Sequence, residues 1–202
     1  YELLLDIGNV GPDYQPGHAH SDTFNFELII QDNPVIVDTG ISTYEKNTIR
    51  QYERATSSHN TVKIGSKEQT QVWGGFRVAK RAKIIHLTEK PNLIEASHDG
   101  YLSDGYKHTR SFLWGEKHLI LSDEINRSTN NKAKAYFHLH SSVTKPLVDG
   151  NTIILESSGV SIEFERASNI CIEEYQLSAG FNKMNLAYKI IVLFDQKLKT
   201  KI

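Results

Sequence analysis

Three short segments concentrate the side chains able to bind a metal or move a proton: Gly17-His18-Ala19-His20-Ser21-Asp22, Val37-Asp38-Thr39-Gly40 and Ser58-His59-Asn60-Thr61. In an extended chain alternate residues project to one side, so His18 and His20 can present two imidazoles to a common site. Asp38 and His59 can complete it. Two neutral imidazoles and a carboxylate are a frequent zinc ligand set, and the same donors also suit manganese and iron. Each residue has a plainer role open to it as well: Asp38 can cap the turn at Thr39-Gly40, His59 can hydrogen-bond within its loop, and Tyr44 can pack against Tyr52.

These segments must be held by the elements around them, and the pattern of those elements is β. Short runs rich in β-branched and aromatic residues recur at 24–30, 34–37, 61–64, 82–86, 93–97, 108–114, 118–124, 134–140, 152–155, 161–165, 170–176 and 189–194, with a further strand at 1–7. Turn signals separate them, at Gln31-Asp32-Asn33-Pro34, Gly65-Ser66, Asp104-Gly105, 114–117, 126–131 and Asp149-Gly150-Asn151. Runs such as Ser161-Ile162-Glu163-Phe164-Glu165 alternate polar and apolar, as strands with one buried face do. The expectation is an all-β, two-sheet antiparallel β-sandwich spanning residues 1–202 as a single domain. Tyr44 to Arg54 carries the one helical pattern, and Trp73-Gly74-Gly75 reads as a loop tip.

Composition bounds the rest. The chain has 202 residues, 39% hydrophobic and 23% charged, the profile of a folded globular domain. No apolar run approaches the ~20 residues that span a bilayer, so no membrane insertion is expected. With Cys171 alone, there is no intrachain disulfide and no cysteine-based zinc motif. Residues 1–45 hold eight acidic residues and no Lys or Arg, whereas residues 46–90 hold ten basic and three acidic ones. That asymmetry is either a set of solvated strand faces or a cationic wall facing an anionic ligand. Nucleic acid is not the expected ligand, because no nucleic-acid motif accompanies the basic residues. The opening at Tyr1 within an apparent strand suggests a piece of a longer protein.

Read together, the blocks Gly11-Pro-Asp-Tyr-Gln-Pro-Gly-His-Ala-His-Ser-Asp-Thr-Phe-Asn-Phe-Glu-Leu, Val37-Asp-Thr-Gly with Tyr44, and Arg54-Ala-Thr-Ser-Ser-His-Asn-Thr-Val resemble the C-terminal domain of heparinase II/III-like polysaccharide lyases and related alginate lyases. Ser97-His98-Asp99-Gly100-Tyr101, His108-Thr109-Arg110, Phe137-His138-Leu139-His140 and Leu177-Ser-Ala-Gly-Phe extend the likeness. The resemblance implies a supersandwich-like β-domain stacked on an N-terminal α/α toroid that is absent from this chain, with an acidic, uronate-containing polysaccharide in the cleft between them. It implies a structural zinc on His20, Asp38 and His59, cleft-facing His18 and Tyr44 as catalytic residues, and Arg50 and Arg54 near the substrate. It further implies a periplasmic or secreted bacterial enzyme whose base and carboxylate neutralisers come mainly from the toroid.

β-Elimination on a uronate removes the C5 proton and expels the C4 oxygen. It needs the carboxylate neutralised and an acid and base at hand, roles that His, Tyr and Arg can fill. Trp73 and Phe76 near Arg77, Lys80, Arg81 and Lys83 can form a sugar-stacking basic edge or simply pack on their own sheet. Structural or surface roles are expected for the remaining histidines, His86, His98, His108, His118, His138 and His140, of which His98 and His108 hold most interest as candidates for more. Two rival functions are a non-catalytic carbohydrate-binding or scaffold module and a cupin-like metal oxygenase. The latter fits poorly: a cupin's His-x-His is followed closely by Glu, whereas here the next is Glu27.

Overall fold

The computed structural model describes residues 1–12, 14–130 and 132–202. Asp13 of the first motif block and Asn131 of the 126–131 turn lie outside the described residues.

Alternation of buried and exposed positions builds the strands. Leu119–Ile125 and Val160–Glu165 each bury every second side chain and present the intervening ones outward. They belong to an eight-stranded antiparallel sheet ordered Leu147–Asp149, Thr152–Leu155, Val160–Glu165, Lys197–Lys201, Leu119–Ile125, His108–Trp114, Leu93–His98 and Ile84–Lys90. Facing it is a four-stranded sheet ordered Asn169–Gly180, Lys183–Phe194, Ala133–His138 and Val62–Ile64. A three-stranded sheet, Glu2–Leu5, Phe26–Ile30 and Asn33–Ile36, continues that second layer, because Ile36 bridges to Leu139 and Val37 N donates to His138 O at 2.9 Å.

Aromatic contacts fix the two layers against each other. Phe26 meets Phe112 of the large sheet at 5.8 Å between ring centroids and Phe137 of the small one at 6.1 Å, and Phe137 meets Phe164 at 5.3 Å. All four rings are fully buried, and the core continues through Leu28, Ile36, Leu121, Ile162, Ile190 and Phe194. This is the antiparallel sandwich that the alternation predicts.

Turn chemistry sets the register near the site. Gln31 and Asp32 both take positive φ, 50° and 63°, in a two-residue connection between Phe26–Ile30 and Asn33–Ile36. Paired positive φ values of this kind match the right-handed twist of the flanking strands. The sequence signals miss four strands: Val72–Trp73, Arg77–Val78, Leu147–Asp149 and Lys197–Lys201. The expected helix shrinks to Thr48–Glu53, because Asn47 stops it at the N-terminus: its side chain accepts from Arg50 N at 2.9 Å.

Candidate metal centre and its exposed rim

His18 and His20 do not share a strand. Pro16 opens a 3₁₀ turn, Pro16–His18, closed by Ala19 N donating to Pro16 O, and the chain becomes extended only at Ala19. The turn points the two imidazoles apart: His18 is exposed, while His20 is buried, 7% accessible.

Beneath that turn, the ring of His20 lies 5.3 Å from the ring of His59. Donor atoms of His20, Asp22 and His59 all fall within 4.8 Å of one another. Asp38 also reaches this cluster, but from the far side of His59: His59 Nδ1 donates to Asp38 Oδ2 at 2.6 Å. Asn25 Nδ2 donates to the same oxygen at 2.9 Å, and Gly40 N to Asp38 Oδ1 at 2.9 Å. Both Asp38 oxygens are therefore engaged by the protein. Of the expected trio, Asp38 is bonded directly to His59, and the carboxylate with an oxygen within 4.8 Å of donor atoms on both His20 and His59 is that of Asp22.

The donors suit a divalent cation. With Nδ1 committed to Asp38, His59 is left with Nε2, which is fully buried and has no hydrogen-bond partner. A lone pair or N–H in that position is costly unless something binds it. Burial, with the neighbouring His59, Arg50 and Arg54 charges, pushes His20 down to about 3, so it is a neutral imidazole at neutral pH. Burial, reinforced by Asp6 and Asp38 against the opposing pull of His59, raises Asp22 to about 6. Burial alone would raise Asp38, but the charge and hydrogen bond of His59 hold it at about 2.

Buried polar side chains lock the three segments together. Asn60 N donates to Asn25 Oδ1 at 2.8 Å, and Asn60 Nδ2 reaches Phe26 O and Val37 O at 2.8 and 2.9 Å. From the large sheet, Arg110 Nη1 donates to both Phe24 O, 3.0 Å, and Asn60 O, 2.6 Å. Asp123 balances this buried guanidinium, accepting from Arg110 Nε at 2.7 Å and Nη2 at 3.0 Å. His108 Nε2 also donates to Asp123, at 2.7 Å, and His98 Nε2 donates to His108 Nδ1, at 3.1 Å, because His98 Nδ1 already accepts from Gly100 N. His98 and His108 are thus neutral, fully buried links in a sheet-to-loop network; burial lowers both their pKa values.

Arg50 and Arg54 are fully buried and grip the backbone of the 16–19 turn. Arg50 Nη2 donates to Gly17 O at 2.8 Å, and Arg54 donates to Ala19 O and Pro16 O at 3.0 and 3.1 Å. Arg50 also lies 3.5 Å from His20 Nε2. Tyr44 packs on this clamp, its exposed ring 5.2 Å above the Arg50 guanidinium and edge-on to His18 at 6.1 Å. Its segment is fixed by Glu53, whose Oε1 accepts from Ser42 N at 2.8 Å and from Ser42 Oγ. His18 and Tyr44 form an exposed rim, and the arginines expected near a ligand sit underneath it.

Sequence reasoning missed Asp22, Asn25, Asn60 and Arg110. Asp22 had a visible signal in its place two residues after His20; the other three have ordinary residue types, and nothing short of the fold reveals their partners.

Fold and site together define an antiparallel β-sandwich with a buried histidine–carboxylate centre under an exposed His/Tyr rim. The chain belongs to the family described as heparinase II/III-like, C-terminal, whose model matches residues 1–202. Among solved structures it is similar to the heparan sulfate lyase HepC from Pedobacter heparinus, at 18% identity and a TM-score of 0.72. That match covers 98% of this chain and 32% of the lyase. It is also similar to a heparinase III with methylated lysines, at 14% identity and a TM-score of 0.72 over 98% of this chain and 31% of that one. The chain thus spans about a third of the length of the structures it matches. No curated protein matches it.

Proposed function

We propose that this chain is the C-terminal domain of a lyase that cleaves an acidic, uronate-containing polysaccharide by β-elimination. In this reading the parent polypeptide carries an N-terminal α/α toroid, and the cleft lies between the two domains. The observation that carries the proposal is the exposed His18–Tyr44 rim, joined through Arg50, which lies against both Tyr44 and His20, to the His20–Asp22–His59 cluster, in a chain whose whole length matches the family model. HepC, one of the similar solved structures, is a heparan sulfate lyase, which fits an acidic polysaccharide substrate.

Zinc is the metal proposed for the cluster, held by His20, Asp22 and His59 with Asp38 orienting His59, and its contribution is a fixed charge that ties the three loops together. His18 and Tyr44 are the residues on this chain proposed to act on substrate. Each carries a group able to take or give a proton, and each is free of the buried network. Tyr44 is braced by Arg50, and His18 by the turn that Arg50 and Arg54 hold, so both meet substrate from a rigid base. The remaining base and the groups that neutralise the uronate carboxylate are assigned to the toroid. A periplasmic or secreted location fits an extracellular polymer; among the described residues no helix is long and apolar enough to cross a membrane.

The test is to incubate the parent polypeptide with heparan sulfate, alginate and an unsulfated glycosaminoglycan and to follow the ultraviolet absorbance of unsaturated uronate ends. Absorbance that grows with one polymer and is lost in His18→Ala and Tyr44→Phe supports the lyase. Tight binding with no unsaturated product supports the carbohydrate-binding module instead.

A further inference from the structure

Next to the His18–Tyr44 rim stands a short hairpin, Val72–Trp73 paired with Arg77–Val78, whose tip is Gly74-Gly75-Phe76. Trp73 is exposed, and the Arg77 guanidinium lies 4.6 Å from its ring. An exposed indole with a cation on one side presents its other face to solvent. That is the pairing that takes the C–H face of a pyranose together with an anionic substituent.

The hairpin is fastened to the proposed active rim. Gln51 Nε2 donates to Val72 O at 2.9 Å, and Arg54 Nη2, from the same clamp that holds the His18 turn, donates to Arg77 O at 3.3 Å. At the tip, Gly75 adopts φ +78° and a Cβ there would stand 3.1 Å from Lys46 Cγ, so glycine lets Lys46 cross close beneath. Lys46 Nζ then sits 5.9 Å from the Phe76 ring, and Arg50 lies the same distance from it on its way to Tyr44. On the other side, a Cβ at Gly17 would be 3.2 Å from Phe76, placing the turn that carries His18 against the tip. Arg50 thus joins the Tyr44 and Phe76 rings, Lys46 lies against Phe76, and the same hairpin carries the Trp73–Arg77 pair, within the segment 46–90 that carries ten basic and three acidic residues.

We propose that the 72–78 hairpin is a separate saccharide subsite, in which Trp73 stacks on a sugar ring one or more units from the cleavage point and Arg77 and Lys46 bind its carboxylate or sulfate. The assignment rests on the acidic-polysaccharide reading above. It gives the chain a longer footprint on the polymer than the His18–Tyr44 rim alone, and binding energy there holds the scissile unit in register.

The experiment is to titrate the full chain, as Trp114→Phe so that Trp73 is the sole indole, with disaccharides and hexasaccharides of a sulfated and of an unsulfated polyuronate, and to measure affinities of further variants by calorimetry. The expected result is a change in Trp73 emission with hexasaccharide and a hexasaccharide affinity about tenfold above that of the disaccharide. Trp73→Ala and Arg77→Met abolish that gain and leave disaccharide affinity unchanged. Whichever hexasaccharide suffers more from Arg77→Met identifies the anion as sulfate or carboxylate. Hexasaccharide binding that leaves Trp73 emission unaltered, or that survives both substitutions, overturns the subsite while the polysaccharide reading stands. Equal affinity for a neutral hexasaccharide removes the anion role. If the unsubstituted chain binds no acidic oligosaccharide, the subsite is overturned; if the parent polypeptide binds none either, the polysaccharide reading fails with it.

Discussion

The 2.6 Å contact between His59 Nδ1 and Asp38 Oδ2 decides which nitrogen of His59 faces the cluster. Because Asp38 accepts the Nδ1 proton, Nε2 is the nitrogen left to face the cluster, buried beside His20 and Asp22, where the neutral ring presents a lone pair. A carboxylate behind an imidazole in this way fixes its tautomer and ring orientation and increases its basicity. Removing such an orienting group typically costs about 10–100-fold in metal affinity, whereas removing a ligand costs more. Asp38→Asn is therefore expected to weaken zinc binding by about 10–100-fold in chelator competition. His20→Ala, Asp22→Asn and His59→Ala are expected to give metal-free protein by elemental analysis. Full loss in Asp38→Asn with retention in Asp22→Asn would exchange the roles of the two carboxylates.

His18 belongs to the rim and not to the cluster, because the 3₁₀ turn at Pro16–His18 sends it outward. His18→Ala is expected to keep the full metal content and an unchanged melting temperature while lowering turnover by the parent polypeptide about 100-fold or more, within the range of a lost general acid or base. Metal loss in this variant would place His18 inside the cluster.

Acid should unfold the sandwich through Asp123. Burial raises its pKa, but the Arg110 charge and the His108 hydrogen bond outweigh burial and hold it at about 2, below the ordinary 3.8. A carboxylate depressed on folding stabilises the protein fully above its unfolded pKa and loses that contribution as pH falls through the folded value. The contribution, about 2 kcal/mol, is therefore present at neutral pH and disappears between about pH 4 and pH 2. Asp123→Asn, which strands the Arg110 charge, is expected to cost about 3–5 kcal/mol in urea unfolding at pH 7 and to flatten the acid limb of the stability profile. An acid limb as steep as that of the unsubstituted chain would show that other carboxylates drive it.

Gly100 closes the same network from its other end. A Cβ there would meet Gln69 O at 2.7 Å and His98 Nδ1 at 2.9 Å, and Gly100 N itself donates to that nitrogen. Backbone and a fully buried ring leave no room to yield. Gly100→Ala is expected to destabilise the chain by about 1–3 kcal/mol, the usual cost of overpacking, read as a lower urea midpoint at unchanged slope.

Much of this was written in local sequence. Alternating runs such as 161–165 specify strands because a side-chain period of two puts one face in the core, whatever the partner strand is. The metal-competent segments at His18–Asp22, Asp38 and His59 were legible because the residue types that bind cations are few and cluster openly. The short strands Val72–Trp73 and Arg77–Val78 were not, since two-residue pairings carry no period to detect.

What tertiary structure alone decided is which atoms meet. The sequence by itself pointed to His18, His20, Asp38 and His59 for one site, but the turn begun by Pro16 separates His18 from His20, and the hydrogen bonds from Asn25 and Gly40 hold Asp38 behind His59. Arg50 and Arg54 carry the charge that suits an anionic ligand, yet Arg50 Nη2 and Arg54 Nε and Nη2 donate to carbonyls of the 16–19 turn, a pairing that depends on how the helix Thr48–Glu53 docks. Arg110 ties the 24 and 60 backbones together across a separation of 86 and 50 residues. Contacts of that range are set by how the two layers stack, and no local pattern of residue types encodes them.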